Sequence, residues 1–298
     1  MEWERGRRSD NVVEADDDGG NGGGGGFRVG GGTGLGIGGV AVVLVISLFT
    51  GINPLQLLGQ MSGGGSVQHQ APPPREAHTS PAAKNPQTEF VRAILGDTED
   101  TWGAIFRASG KQYRDPTLVL FNGGVNSACG YAQSAVGPFY CPGDQRVYLD
   151  LSFFHDMETR FAASGDFARA YVIAHEVGHH VQRLLGTSAK VDQARQRGAR
   201  MEGANGLSVR MELQADCYAG VWANNAQQRL HWLQPGDLES ALRAATAIGD
   251  DRLQQQSRGH VVPDAFTHGS SAQRVKWFST GYDKGDPGAC DTFSAKQL

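Results

Sequence analysis

The chain has 298 residues, 39 % hydrophobic and 8 % aromatic, enough apolar side chain to build a core and to exclude a wholly disordered or collagen-like protein. Its 27 basic and 31 acidic residues leave a net charge of −4, which offers no general electrostatic footprint for DNA or RNA. The glycine excess is regional, since 19 of the 42 glycines lie between Gly19 and Gly65.

Residues 1–33 read as a glycine-rich leader. From Val29 through Pro74 there is no Lys, Arg, Asp or Glu, and Leu35 to Ile52 is almost wholly apolar or glycine. Roughly 18 to 20 such residues cross a bilayer, so 34–54 is the candidate transmembrane anchor. Arg5, Arg7, Arg8 and Arg28 precede it and no basic residue follows until Arg75, which predicts a single-pass protein with its N-terminus inside and the bulk of the chain outside. Gly34-Leu35-Gly36-Ile37-Gly38-Gly39 matches a dinucleotide fingerprint, but no strand precedes it and it runs into the apolar stretch, so it is set aside. Residues 55–88, with Gly63-Gly64-Gly65 and Pro72-Pro73-Pro74, read as a flexible linker.

Residues 89–298 form the predicted domain. Phe90, Val91, Ile94, Leu95, Trp102, Ile105 and Phe106 recur at helical spacing and predict a helix over 88–109. Residues 117–121 and 146–151 are short β-prone runs, and Gly137–Pro142 suits a sheet edge or a turn. Helical patterns follow over 166–185, with Gly186 as a stop, over 208–226, and over 235–253, where Pro235 suits a first helical turn. The fold class expected is α+β, mainly helical with a small sheet.

His175-Glu176-Val177-Gly178-His179 carries the chemistry. On a helix, residues i and i+4 share a face, so both imidazoles can reach one ion at roughly 2.0 to 2.1 Å. Glu176, turned about 100° from His175, is placed as a general base beside the ion's open position. A catalytic zinc needs a third protein ligand, for which Glu212, on a separate helical stretch, is the candidate. Asp216, one turn on, is placed to accept a hydrogen bond from the outer nitrogen of a ligand histidine. His268 is a candidate stabiliser of the oxyanion, provided the C-terminal segment folds over the cleft. His180 points away and reads as a packing residue, while His155 and His231 have no metal spacing. The set predicts attack of zinc-activated water on a peptide carbonyl, with Glu176 moving the proton.

Cys129, Cys141, Cys217 and Cys290 lack Cys-x-x-Cys spacing and read as two disulfides of an oxidising compartment. Of three possible pairings, Cys129–Cys141 with Cys217–Cys290 is expected, the second tying the Glu212 helix to the C-terminal tail.

Several longer motifs stand in fixed order: Ser127–Gly130, Gly137–Pro142, Val147–Phe154, Ala174–Gln182, Glu212–Cys217 and His268–Arg274. With the glycine-rich leader and apolar stretch, they make the chain resemble the bacterial neutral zinc metallopeptidase family, a membrane-anchored group. The resemblance implies a zincin-like domain, peptidase activity on a peptide or protein substrate, Zn2+ as cofactor, and His175, His179 and Glu212 as its ligands. Together with the distribution of basic residues and the cysteines, this leads to the expectation of a membrane-anchored zinc endopeptidase at the outer face of a bacterial cytoplasmic membrane, with the catalytic domain extracytoplasmic. The rival readings are a non-catalytic envelope binding protein stabilised by zinc and disulfides, and a zinc amidase acting on cell-wall peptides. An intact Glu176 speaks against the first, because a structural site has no use for an adjacent base. The second shares the same attack on a carbonyl, so the residues do not separate it from a peptidase.

Overall fold

A computed structural model of the protein describes residues 1–15, 79–133, 137–159 and 164–298. Seven strands are present among them: β1 (Val12–Ala15), β2 (Thr79–Pro81), β3 (Thr117–Phe121), β4 (Gly124–Ser127), β5 (Gly130–Gln133), β6 (Phe139–Cys141) and β7 (Arg146–Asp150). Leu118 to Phe121 are all buried, as expected of a strand covered on both faces, and β3 lies at the centre of a five-stranded sheet of order β2-β1-β3-β7-β6. Strands β1, β3 and β7 run parallel, while β2 and β6 pair antiparallel at the two edges. The Gly137–Pro142 segment thus resolves into an edge strand flanked by its prolines. Strands β4 and β5 form a separate antiparallel hairpin.

Eight helices account for most of the rest: α1 (Pro86–Ala108), α2 (Ser152–Thr159), α3 (Asp166–Leu184), α4 (Thr187–Gln196), α5 (Leu207–Leu230), α6 (Asp237–Ala247), α7 (Asp250–Arg258) and α8 (Ser271–Lys284). Asn85 caps α1 by accepting from the Thr88 N–H, with Pro86 in the first turn, where its missing donor costs nothing. Gly186, at φ 79°, ends α3 as expected. The helix expected over 235–253 is instead two. Pro235 lies outside the first, which is entered through Gly236, and Gly249 breaks the run in an extended conformation. A Cβ at Gly249 would lie 2.4 Å from the Ser271 nitrogen, so the break is where the N-terminus of α8 presses in. Helix α8 opens with a reciprocal capping box between Ser270 and Gln273.

Helices α3, α5 and α8 pack around a core that includes Tyr171, Val177, Trp222 and Phe278, closed over by Ile94 and Trp102 of α1. The crossing of α5 and α8 is a backbone contact: a Cβ on Gly281 would meet the Cys217 carbonyl at 1.9 Å. Both expected disulfides are present, with Cα–Cα distances of 5.8 Å for Cys129–Cys141 and 5.6 Å for Cys217–Cys290. The second joins α5 to the C-terminal tail, which is further held by Arg210 donating to the carbonyls of Thr292, Phe293 and Ala295.

The expected anchor, 34–54, and most of the expected linker lie outside the described residues. Among the described residues no helix is long and apolar enough to cross a membrane. The start of the expected leader differs from its reading. Residues 1–15 are part of the folded domain, with β1 hydrogen-bonded between β2 and β3, so the boundary drawn at residue 89 does not bound the packing. The sequence signal missed there is Val12-Val13, a β-prone pair too short to stand out in a polar, charged context.

Candidate metal centre

Helix α3 carries His175 and His179 one turn apart, with ring centroids 4.9 Å from each other. Helix α5 brings Glu212 against both: Oε2 is 3.2 Å from His175 Nε2, and Oε1 is 3.6 Å from His179 Nε2. The two helices approach this closely because residue 178 lacks a side chain. A Cβ on Gly178 would stand 3.0 Å from the Ala215 carbonyl oxygen. One ligand atom from each of His175, His179 and Glu212 lies within 4.8 Å of the others, the only such His/Cys/Asp/Glu group among the described residues. Tetrahedral coordination at ordinary zinc bond lengths separates donor atoms by roughly 3.3 Å, so the trio fits the ion.

The outer nitrogens decide which lone pairs face inward. His175 Nδ1 is 2.8 Å from Asp216 Oδ1, and His179 Nδ1 is 2.9 Å from Gln182 Oε1. A proton on each Nδ1 satisfies these acceptors and leaves both Nε2 atoms as free donors to a metal. Asp216 is itself enclosed. Arg274 donates from Nε to Oδ2 at 2.9 Å and from Nη2 to Oδ1 at 2.8 Å, and the Tyr171 hydroxyl donates to Oδ1 at 2.6 Å. Gln182 is held by donating to the Met211 carbonyl at 2.7 Å and to Gln214 Oε1 at 3.2 Å, while Gln214 donates to the Cys290 carbonyl. Sequence reasoning placed Asp216 but assigned no role to Arg274, Tyr171 or Gln182. Gln182 was legible in principle, three residues from His179 on one helix face. Arg274 was not, because 58 residues separate it from Asp216.

Charge is arranged to favour a cation between these groups. Burial alone would discharge His175, but the Asp216 carboxylate and the bond to Glu212 outweigh it and raise the imidazole to about 10. His179 is raised against its burial by Glu212. Burial pushes the Asp216 carboxyl up, yet Arg274 and His175 prevail and hold it at about 2. Glu212 is likewise driven well below the usual carboxylate range, against its burial, by His179 and His175. A metal ion and protons therefore compete for the same negative pocket.

Glu176 is buried beside the trio and is not a member of it. Burial raises its carboxyl, the charges of His175 and His179 oppose that rise, and the Tyr140 backbone N–H on β6 donates to it. The edge strand thus orients the carboxylate. His268 sits in the turn before α8, close enough to Glu212 for their charges to act on each other. Asp250, at the start of α7, accepts the backbone N–H groups of Thr267, His268 and Gly269 on Oδ2, and lies 3.1 Å from His268 Nδ1 through Oδ1. Sequence reasoning missed Asp250, for which no local signal exists. His180 stands outside the group, bridging the Tyr140 hydroxyl at 3.1 Å and the Arg114 carbonyl at 2.6 Å.

The sequence profile described as "Putative neutral zinc metallopeptidase" matches residues 1–293. The chain belongs to this family. Among the relatives of this metallopeptidase-family chain, the protein YpfJ of Escherichia coli (strain K12) is 50% identical over 295 residues, covering 98% of this chain and 99% of its own. The protein Rv2575 of Mycobacterium tuberculosis (strain ATCC 25618 / H37Rv) is 44% identical over 259 residues, covering 81% and 86%. No solved structure matches the chain significantly.

Proposed function

We propose that the protein is a membrane-attached, zinc-dependent peptidase that hydrolyses peptide bonds without a covalent intermediate. The reading is carried by the division of labour at the centre: three side chains converge on one point, no fourth His, Cys, Asp or Glu among the described residues joins them, and a buried glutamate stands alongside. A structural zinc site closes with four protein ligands, and here all four cysteines are committed to disulfides. His175, His179 and Glu212 would hold zinc, which when bound would supply Lewis acidity toward a peptide carbonyl and toward water at neutral pH.

The chain's own groups do the rest. Glu176, aligned by the Tyr140 N–H and raised by burial, takes the proton of the attacking water and passes it to the departing amine. His268, braced by Asp250, donates toward the oxygen on which charge develops. Asp216 and Gln182 keep the ligand histidines in one tautomer and orientation. The two disulfides are of the kind that persists in an oxidising compartment, which supports a domain outside the cytoplasm. Attachment to a membrane rests on the charge-free stretch around Leu35–Ile52.

The test is cleavage of a peptide library by the full-length protein, with and without a chelator, beside Glu176→Gln. Chelator-sensitive cleavage that disappears in Glu176→Gln supports the reading. Zinc binding with no cleavage of any peptide would move the protein to the non-catalytic class.

A further inference from the structure

Ala15, the last residue of β1, pairs directly with Thr79, the first of β2, and β1 continues into parallel pairing with β3. Residues 15 and 79 therefore stand side by side in the sheet, and the charge-free stretch falls between them in sequence. Resting on the membrane attachment proposed above, we propose that residues 1–15 and the catalytic domain lie on the same side of that membrane, against the orientation expected from the distribution of basic residues.

The docking of residues 1–15 is built into the domain. Glu99 of α1 is buried, and the groups that satisfy it come from the N-terminal segment: Ser9 Oγ and Asn11 Nδ2 donate to Oε1 at 2.6 and 2.8 Å, and Arg7 Nη2 to Oε2 at 2.6 Å. Undocking would strand that carboxylate and open the edge of β3. Helix α1 also carries a glycine in its interior, Gly96, at a position where glycine normally weakens a helix. A Cβ there would lie 2.8 Å from the Arg7 carbonyl oxygen, so the helix is shaped to receive the segment. Trp3 Nε1 donates to Asp166 on α3 at 3.1 Å, and the Met1 ammonium lies 3.0 Å from Asp237 on α6.

The same contacts explain why the distribution of basic residues misleads. Arg7 is paired with Glu99 and Asp100, and Arg8 with Glu89, so these charges serve the fold. Exchange of the segment between two copies would not alter the conclusion, because the donor segment would still have to share a compartment with the domain it completes.

The experiment uses the full chain in right-side-out and inside-out membrane vesicles, labelled with a membrane-impermeant maleimide. The native cysteines are all in disulfides, so single variants Asp10→Cys and Lys111→Cys, both at exposed positions, report one side each. Glu4→Cys and Lys84→Cys repeat the measurement at two further exposed positions in case a first variant folds poorly. All positions reacting in the same vesicle orientation, whichever it is, is the expected result. Reaction of the N-terminal positions in one orientation and the domain positions in the other overturns the proposal. Recovery of the chain in the soluble fraction alone overturns the membrane attachment itself.

Discussion

Nδ1 of His175 lies 2.8 Å from Oδ1 of Asp216, a carboxylate that is fully buried and clasped by Arg274. Asp216 can serve as a fixed hydrogen-bond acceptor for the ligand histidine because its negative charge is balanced on the far side. Asp216→Asn is expected to weaken zinc binding by about 10- to 100-fold, read by competition with a chromophoric chelator on protein whose circular dichroism is unchanged. Unaltered affinity would mean that the carboxylate does not hold the ligand.

Arg274→Met leaves Asp216 buried without its counter-charge. A loss of about 3 to 5 kcal/mol in unfolding free energy is expected, measured in denaturant with zinc chelated so that metal binding does not mask it. Stability within a few tenths of the parent would contradict the ion pair.

Glu176→Gln keeps the shape of the side chain and removes its basicity. Turnover is expected to fall by about 100- to 10,000-fold while bound zinc, counted by elemental analysis, stays at the parent level. His175→Ala and His179→Ala should lose the metal instead, which separates the proton carrier from the ligands.

Gly178 sits where α3 and α5 meet, with the Ala215 carbonyl 3.0 Å from its missing Cβ. Gly178→Val forces the helices apart and draws Glu212 away from the histidines. Lower zinc affinity and a destabilisation of about 1 to 3 kcal/mol are expected together. A stable variant with normal zinc affinity would show that the helix spacing is not limiting.

The two disulfides close loops with sequence separations of 12 and 73 residues. Loop-closure entropy assigns about 3 kcal/mol to Cys129–Cys141 and about 4 kcal/mol to Cys217–Cys290. Paired Cys→Ala variants should lose stability in that order. The second should also lower zinc affinity, because the Cys290 carbonyl accepts from Gln214, which supports Gln182 and through it His179.

Much of the centre was legible in the linear chain because its signals are local. A helix places residues i and i+4 on one face whatever surrounds it, so His175 and His179 followed from spacing, and the apolar periodicity of 88–109 and 166–185 located α1 and α3 to within two residues. The split of the 235–253 helix was not legible, since it depends on α8 pressing against Gly249. Nor was the clasp of Arg274 on Asp216, or of Asp250 on His268, because each joins side chains that no local periodicity relates. The N-terminal segment is the sharpest case. By itself it is a polar, arginine-bearing stretch that reads as a leader, and tertiary structure makes it a strand of the sheet because a buried glutamate and an interior glycine on α1 await it.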